Sequence, residues 1–477
     1  MPTSSEAPNT LNVISYNCLG LKYISRYRRE RLAEIGRKLA LASPVPEVVG
    51  LQECWTQEDF QSIRRQTKHI LPYGKYYYSG IFGGGLAILS KWPIEESSMV
   101  RFSLNGRPTA FFRGDWFVGK GVACARIRLG LRSEDVVEVF CTHLHAPYES
   151  EPNDSYLCHR TAQAWEIAKL MRGATERGHL VLGLGDFNMV PLSFAHQLIT
   201  GYASVRDAWR VMHPQSSIGS ANDDLERKRG RGIPNARYNL SENGATCDGV
   251  LNTWRWSKEQ QKKQYKGENM IVDGTTQDPR AKRLDYIFIG GSDHPHSPSK
   301  NRWHVQDIKV GMTERHPSIG CSLSDHFSVE ATLSRGENPA ELAISTGQAG
   351  SRVPTIPHVD IDCLSISTYD IILSMIETYT LRERHQRHFR LSNFGISMVV
   401  AIGCFTAIWW SPRPFVAFLL MLLSTLGFGA GLLDGLIGGL FIGSELRALN
   451  EFEWEIQNAK AVAEQQRRGD QENVNKV

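Results

Sequence analysis

The chain has 477 residues, and its 54 lysines and arginines against 50 aspartates and glutamates give a formal net charge of +4. This length exceeds the size at which one hydrophobic core usually keeps growing, so two modules are expected. The mild charge argues against a nucleic-acid partner, because DNA-binding domains concentrate basic residues on one face. The nine cysteines include no Cys-x-x-Cys pair. This argues against a zinc site or a disulfide framework and favours a reducing compartment.

Strands and helices are predicted to alternate through residues 11–335, after a flexible N-terminus at 1–10. Apolar runs predict strands at 11–15, 48–51, 76–78, 86–89, 136–142, 180–184 and 286–289. Helical spacing of apolar residues predicts helices at 26–41, 57–71 and 156–173. The alternation favours an α/β or α+β sandwich over an all-β barrel. Residues 212–280 are polar and glycine-rich, and they predict a surface insertion near the site.

Short polar segments follow or close the predicted buried strands, and together they contain the groups needed to cleave a phosphodiester. Such cleavage needs a nucleophilic water, neutralisation of charge on the phosphoryl oxygens and stabilisation of the departing alkoxide, and a hard divalent ion with oxygen ligands serves the last two needs. Carboxylates, amides and imidazoles that recur at strand ends indicate one convergent site. The segments are Ser15-Tyr16-Asn17, Leu51-Gln52-Glu53, Thr142-His143-Leu144-His145, Gly185-Asp186-Phe187-Asn188, Leu284-Asp285-Tyr286 and Ser324-Asp325-His326.

The order and wording of these segments resemble the endonuclease/exonuclease/phosphatase superfamily, whose fold is a four-layer α/β sandwich. The resemblance covers about residues 11–335. Three further stretches, at 115–121, 141–148 and 159–166, are similar to the neutral sphingomyelinases and the fungal inositol phosphosphingolipid phospholipases C. The resemblance implies a Mg²⁺-dependent phospholipase C that releases ceramide and a phosphorylated choline or inositol headgroup. A nuclease of the DNA repair or deoxyribonuclease type, or a phosphoinositide phosphatase, is the alternative within the superfamily. A membrane-anchored binding or scaffold protein with a decayed site is the alternative from another class.

Within this resemblance, five residues are expected to bind the metal or move the proton. Glu53 and Asn17 are predicted ligands of Mg²⁺, for which Mn²⁺ can substitute. Asp325 either completes the metal shell or hydrogen-bonds nearby backbone. His326 is the predicted general base, and Asp285 holds its tautomer and orientation.

The remaining candidates are expected to contact the phosphate or to arrange the site. Asp186 and Asn188 lie two residues apart at a strand exit, so their side chains point to one side and can hold the water and a phosphoryl oxygen. His143 is expected to bind the phosphate as a neutral or protonated donor and to stabilise the transition state. His145 contacts the headgroup, supports the other site groups or simply packs.

Asp115 and Lys120 match an Asp-x4-Lys element of the neutral sphingomyelinase group. The resemblance implies that this pair arranges the site or switches it between competent and incompetent states, and a surface salt bridge is the alternative. Arg160 lies in the 159–166 stretch and is grouped with them as a substrate or switch residue.

A linker at 336–358 leads to a membrane-binding region. Residues 359–390 are predicted to form an amphipathic and basic juxtamembrane segment that binds anionic phospholipids. Its four candidate lipid-binding side chains are Arg382, Arg384, Arg387 and Arg390. Apolar runs at 394–410 and 415–443 predict a transmembrane helical hairpin, followed by a polar tail at 444–477.

Basic residues flank both outer ends of the hairpin, whereas its turn carries only Arg413, so both termini and the catalytic module are predicted to be cytosolic. No secretory leader is visible, and the endoplasmic reticulum or the mitochondrial outer membrane is the expected location. Asp434 inside the second span has no assigned role. Glycines recur every four residues along that span and predict close packing within the hairpin, or a homo-oligomer as the alternative. They are Gly427, Gly431, Gly435, Gly439 and Gly443.

Overall fold

The computed structural model describes residues 7–110, 112–132, 135–149, 154–268, 270–291, 302–336 and 364–474. The chain forms two compact units. The first unit comprises residues 1–102, 117–148 and 163–362, and the second comprises 103–116, 149–162 and 363–477. Two segments of the predicted catalytic module therefore belong to the second unit. The predicted linker lies outside the described residues except for Gly336.

Two six-stranded mixed sheets form the centre of the first unit, in the orders β11-β12-β1-β2-β4-β3 and β5-β6-β7-β8-β10-β9. Strands β1 and β2 are parallel, as are β7 and β8, and the other described pairs are antiparallel. The strands are β1 (Thr10–Asn17), β2 (Val48–Gln52), β3 (Tyr73–Tyr77), β4 (Leu86–Ser90), β5 (Ile94–Arg101), β6 (Gly121–Arg128), β7 (Val136–His143), β8 (Leu180–Asp186), β9 (Val205–Asp207), β10 (Asp285–Gly290), β11 (Trp303–Gly311) and β12 (Ser328–Arg335).

Helices make the crossovers that parallel strands require. Helix α1 connects β1 to β2, and α4 connects β7 to β8. The helices predicted at 26–41, 57–71 and 156–173 are confirmed as α1, α2 and α4, with slightly different ends. The helices before the C-terminal region are α1 (Arg28–Ala40), α2 (Gln57–Thr67), α3 (Asp115–Val118), α4 (Leu157–Glu176), α5 (Phe194–Ala203), α6 (Ala208–Met212), α7 (Asp224–Arg227), α8 (Ala236–Ser241), a 3-10 turn at Thr253–Arg255 and α9 (Lys258–Tyr265).

The two sheets pack face to face, with helices on their outer faces. Apolar side chains from both sheets share one buried core, and a second core lies between the first sheet and helices α1 and α2. Helix α4 packs on the other sheet, where a Cβ at Gly183 would lie 2.8 Å from Met171 Sδ. At Gly50, where the sheets approach closely, a Cβ would lie 3.0 Å from Leu184 and 3.2 Å from Cys141 Sγ. The layers confirm the predicted four-layer α/β sandwich.

The insertion predicted at 212–280 lies on the surface only in part. Thr246, Cys247, Asn252 and Thr253 are buried. The amide of Phe327 donates to the carbonyl of Thr246, so this part of the segment is bound to the loop that precedes β12. The prediction was wrong here because polar side chains satisfied by backbone groups can be buried without an apolar pattern.

In the second unit, two C-terminal helices are long and apolar enough to cross a bilayer. The first is α10 (Ile366–Ile408). The second consists of α11 (Pro414–Leu436), a π-helical turn (Ile437–Phe441) and α12 (Ile442–Val474). From residue 366 onward, one continuous helix therefore contains both the predicted juxtamembrane segment and the predicted first span. The predicted second span and polar tail likewise continue through the π turn as one helical path.

The glycine stripe packs against α10 only in part. A Cβ at Gly435 would lie 2.9 Å from the ring of Phe394, and one at Gly431 would collide with Ser397. Nothing lies within 4 Å of a Cβ at the other three predicted glycines, Gly427, Gly439 and Gly443. Packing within the hairpin therefore uses the middle of the stripe.

Asp434 has partners on α10. One of its carboxylate oxygens accepts from the guanidinium of Arg390, and the other accepts from Asn393 Nδ2 at 2.5 Å. The cost of placing a carboxylate in an apolar helix is thereby offset by an ion pair and an amide.

Candidate active site

Strand register places the site residues of the second sheet in one row. His143 on β7 pairs with Asp186 on β8, and Asp186 pairs with Asp285 on β10. Residues directly opposite on neighbouring strands project from the same face of a sheet. The three side chains therefore lie side by side at one edge.

The first sheet contributes the remaining groups from its own strand ends. Asn17 ends β1, Glu53 follows β2 directly, and His326 comes two residues before β12. Asn17 Nδ2 donates to Glu53 Oε1 at 3.2 Å and to Asp186 Oδ2 at 3.1 Å, which joins the two sheets. The predicted strand-end residues thus meet in one buried site.

Glu53 is suited to bind a cation. Burial and then the negative charge of Asp325 raise its pKa, and the hydrogen bond from Asn17 only partly offsets them. Its Oε2 is buried without a hydrogen-bond partner among the described residues. A buried carboxylate oxygen without a donor is costly, and a hard divalent cation would satisfy it. Asn17 faces Glu53 with Nδ2, and its Oδ1 accepts from the backbone amide of Leu19 at 3.1 Å. Its side-chain amide would therefore have to turn over to offer Oδ1 to a metal beside Glu53.

His326 is held between two carboxylates. Its Nδ1 lies 2.8 Å from Asp285 Oδ2, and its Nε2 lies 3.8 Å from Asp186 Oδ2. Burial opposes protonation of the imidazole, but the charges of Asp285 and Asp186 outweigh it and raise the pKa of His326 well above its ordinary value. Burial raises the pKa of Asp186 to about 7, against the lowering effect of His326. Ligand atoms of these three residues all lie within 4.8 Å of one another, so they too can hold a metal ion.

The surroundings of His143 disfavour its protonated form. Its pKa lies well below the ordinary value because of burial and then the positive charge of Lys120. Its Nε2 is 3.5 Å from Asp186 Oδ2. Of the two forms considered for this side chain, the structure favours the neutral donor.

Asn188 and Lys120 converge on one carbonyl beside His143. Asn188 Nδ2 donates to the carbonyl of Leu144 at 3.0 Å, and Lys120 Nζ donates to the same oxygen at 2.9 Å. The backbone N–H of Asn188 also donates to Asp186 Oδ1 at 2.9 Å. Asn188 and Glu53 have φ angles of 48° and 55°. Left-handed backbone is tolerated by asparagine but strained at a glutamate, and such strain concentrates at functional sites.

Two other predicted residues, Asp325 and His145, differ in their surroundings. Asp325 Oδ2 lies 3.8 Å from Arg255, at the rim of the site. His145 is fully buried, its backbone amide donates to Gln163, and its ring packs edge-on against Tyr148. These contacts favour the packing role for His145.

Asp115 and Arg160 belong to the second unit, whereas Lys120 belongs to the first. Asp115 is buried, and the guanidinium of Arg160 forms an ion pair with Asp154. The switch role inferred from the Asp-x4-Lys resemblance stays a prediction.

Arg31 was not predicted from sequence, yet it fixes two loops of the site. Its side chain is fully buried, and its guanidinium donates to the carbonyls of Cys18, Leu19 and Leu323. These carbonyls follow Asn17 in one loop and precede His326 in the other. Its position in a basic amphipathic helix gave no signal of this, because most arginines on such helices are solvated.

Lys282 was also missed, whereas Asp248 and Arg255 lie in the 212–280 segment, which was predicted to be a surface insertion near the site. Asp248 Oδ1 lies 2.7 Å from Arg255 Nε, and its Oδ2 lies 3.0 Å from Lys282 Nζ. The sequence signal for Lys282 was its position three residues before Asp285.

Comparisons with known proteins place these features in a family context. The model of the "Endonuclease/Exonuclease/phosphatase family" matches residues 14–326. The chain is 39% identical over 463 residues to an inositol phosphosphingolipids phospholipase C of Schizosaccharomyces pombe, with 97% of each chain covered. It is 32% identical over 480 residues to a protein of the same name from Saccharomyces cerevisiae, with 94% of this chain and 90% of the yeast protein covered. It is 37% identical over 199 residues to sphingomyelin phosphodiesterase 2 of Rattus norvegicus, with 42% of this chain and 46% of the rat protein covered.

Proposed function

The chain belongs to the endonuclease/exonuclease/phosphatase family and is a hydrolase of sphingolipid phosphodiesters, and we propose that it is a Mg²⁺-dependent phospholipase C that releases ceramide and an inositol phosphate headgroup. The observation that carries the proposal is the His326–Asp285 pair beside Asp186 and the unsatisfied oxygen of Glu53. The inositol headgroup is supported by the two fungal relatives, which match this chain over nearly its whole length.

The cation site would be built from Glu53 and Asn17, with Asp186 and Asp325 adding negative charge. Bound Mg²⁺ would neutralise the phosphoryl oxygens and stabilise the departing ceramide alkoxide. The oxygen donor set and its burial fit a hard divalent ion.

The proton is moved by this chain's own residues. Neutral His326 takes the proton of the attacking water at Nε2, while Asp285 accepts from Nδ1–H and stabilises the imidazolium that forms. Asp186 Oδ2, which lies 3.8 Å from that Nε2, orients the water. His143 and Asn188 donate hydrogen bonds to the phosphoryl oxygens as their charge increases.

The second unit is proposed to attach the enzyme to its substrate membrane. We propose that its two long helices form a hairpin with both termini in the cytosol, in the endoplasmic reticulum or the mitochondrial outer membrane. Arg382, Arg384 and Arg387 are the proposed contacts for anionic phospholipids. Arg390 pairs with Asp434, so its charge is already matched inside the protein.

Turnover by the full chain in detergent micelles tests the proposal. The substrates are an inositol phosphosphingolipid, sphingomyelin, a phosphoinositide and abasic DNA, each with Mg²⁺ or with a chelator. In water enriched in oxygen-18, we expect the label in the phosphorylated headgroup and none in ceramide, because water attacks phosphorus.

Replacing His326 or Glu53 by alanine should abolish this turnover. Hydrolysis of DNA or of the phosphoinositide without hydrolysis of either sphingolipid would refute the proposal. Unchanged turnover in both variants would refute the site assignment.

A further inference from the structure

A chain of charged side chains lies at the rim of the active site, formed by Lys282, Asp248, Arg255 and Asp325. The segment that carries Asp248 is fixed beside the general base, because the backbone of Cys247 forms bridges to both Lys282 and His326. Asp248 is the next residue after Cys247. This rim is therefore built from the same loops as the catalytic imidazole.

Positive and negative groups alternate along this rim. The ammonium of Lys282 is 3.0 Å from Asp248 Oδ2, and Asp248 Oδ1 is 2.7 Å from Arg255 Nε. Arg255 Nη2 lies 3.8 Å from Asp325 Oδ2. The four side chains keep between 23% and 39% of their surface exposed, so a ligand in the site can reach them.

These contacts are poorly explained as a stabilising device. Ion pairs exposed to this extent contribute little to stability. Asp248 moreover has a φ of 61°, a left-handed conformation that few residue types other than glycine, asparagine and aspartate adopt readily. Glu53 and Asn188 share this feature and lie in the site itself. Left-handed backbone thus recurs at three positions around one cleft, and its cost at Glu53 is of the kind that concentrates at functional sites.

We propose that Asp248, Lys282 and Arg255 form the headgroup subsite and bind the vicinal hydroxyls of a cyclitol. This inference rests on the proposed function and specifies which headgroup the site selects. Each hydroxyl both donates and accepts hydrogen bonds. A carboxylate between an ammonium and a guanidinium offers an acceptor flanked by donors, which matches neighbouring hydroxyls on a ring.

The same rim is unsuited to a quaternary ammonium headgroup. Such a cation has no hydrogen to donate, and it is bound well by open aromatic faces. The two nearby tryptophans already hold cations of this chain, with Arg31 5.2 Å from the ring of Trp254 and Arg315 4.6 Å from the ring of Trp256. Lys282 and Arg255 would also repel the added positive charge.

The test compares two lipids that share one ceramide, an inositol phosphosphingolipid and sphingomyelin, with the full chain in mixed micelles. For Asp248→Asn and Lys282→Met, kcat/KM for the inositol lipid should fall at least about tenfold, mainly through KM, because a charge-assisted hydrogen bond to substrate is lost. The ratio of kcat/KM between the two lipids should move by a similar factor. Asparagine tolerates left-handed backbone, so Asp248→Asn keeps the loop conformation.

Two further measurements separate this subsite from a structural role and from failure of the proposed function. Asp224→Asn removes one charge from an exposed ion pair with Arg227 on α7, and it should leave both lipids unaffected. Calorimetry with soluble inositol phosphate and with phosphocholine measures binding without turnover, and wild type should bind inositol phosphate about tenfold more tightly than Asp248→Asn does.

The subsite assignment would be overturned if kcat/KM fell equally for both lipids. It would also be overturned if wild type and Asp248→Asn bound inositol phosphate equally well. Absence of lipid turnover by wild type would refute the proposed function instead, and the binding data would still decide the subsite.

Discussion

Replacing Asp285 by asparagine should lower the rate and also move its pH dependence. The carboxylate of Asp285 raises the pKa of His326, so the base form becomes abundant only as pH rises. Without that charge the pKa of His326 falls. The acid limb of the kcat/KM profile should therefore move to lower pH, although the maximal rate drops.

The size of the rate loss follows from the contact between the two side chains. Asp285 is fully buried, and its Oδ2 lies 2.8 Å from His326 Nδ1. A hydrogen bond to a charged group contributes about 1.5–3 kcal/mol, or roughly 10- to 150-fold in rate. Asparagine can also donate to Nδ1, which would place the proton on Nε2 and remove the base. We therefore expect a loss of about 10²-fold or more in kcat.

Initial rates from acid to alkaline pH, with saturating and with limiting lipid, measure both effects. His196→Asn is a matched control, because His196 Nε2 lies 3.0 Å from Asp207 in a buried pair outside the site. This control should keep the wild-type pH profile. An acid limb that stays in place in Asp285→Asn, with reduced rate, would refute the assignment of that limb to His326.

Three further predictions test the cation site and the helical hairpin. Burial raises the pKa of Glu53, so its ionised form destabilises the metal-free fold above the ordinary carboxyl pKa. Glu53→Gln should therefore raise the unfolding temperature in chelator at neutral pH and weaken Mg²⁺ binding at least about tenfold. A lower unfolding temperature of this variant in chelator would contradict the reasoning. Gly435→Leu should destabilise the hairpin by about 1–3 kcal/mol in detergent, whereas Gly439→Leu should not. If Gly439→Leu alone reduced self-association, that result would support an oligomer through the open glycine face. Asp434→Leu should lower the unfolding temperature because it leaves Arg390 unpaired. The double variant Asp434→Leu with Arg390→Met should recover the wild-type unfolding temperature. An equal fall in unfolding temperature in the single and double variants would contradict the pairing.

The convergence of the candidate site residues could be predicted from sequence because the fold brings strand ends together. His143, Asp186 and Asp285 each lie at the end of a buried strand, and one register row brings them together. Glu53 and Asn17 follow the same rule in the other sheet. Local patterns therefore carried the information that the site needed.

The rim of the site could not be predicted in this way. Asp248 and Lys282 are 34 positions apart, and backbone bridges from Cys247 bring them to His326. Isolated charged residues in a polar segment resemble solvated loop residues. No periodicity distinguishes them from the other charges of that segment.

The continuity of α10 was missed for a different reason. Arginines, histidines and glutamate between 382 and 390 look like a break between two apolar stretches. They are compatible with a helix, however, and no proline occurs between Ile366 and Ile408. Absence of a helix breaker was a better guide to the backbone than the change in polarity.

Contacts within the second unit also explain why sequence alone assigned residues 103–116 and 149–162 to the catalytic module and not to this unit. Arg107 Nε donates to Tyr379 Oη at 2.9 Å, and that hydroxyl donates to Glu445 Oε1 at 2.5 Å. Nε2 of buried His159 lies 3.1 Å from the same carboxylate oxygen. Residues 103–116 and 149–162 thus find buried polar partners in helices more than 200 positions further along the chain. A chain cut before residue 363 would leave Arg107 and His159 without these partners, at a cost of about 1–3 kcal/mol for each buried group. The C-terminal helices therefore support the structure of the segments that carry Asp115 and Arg160, in addition to any attachment to a membrane.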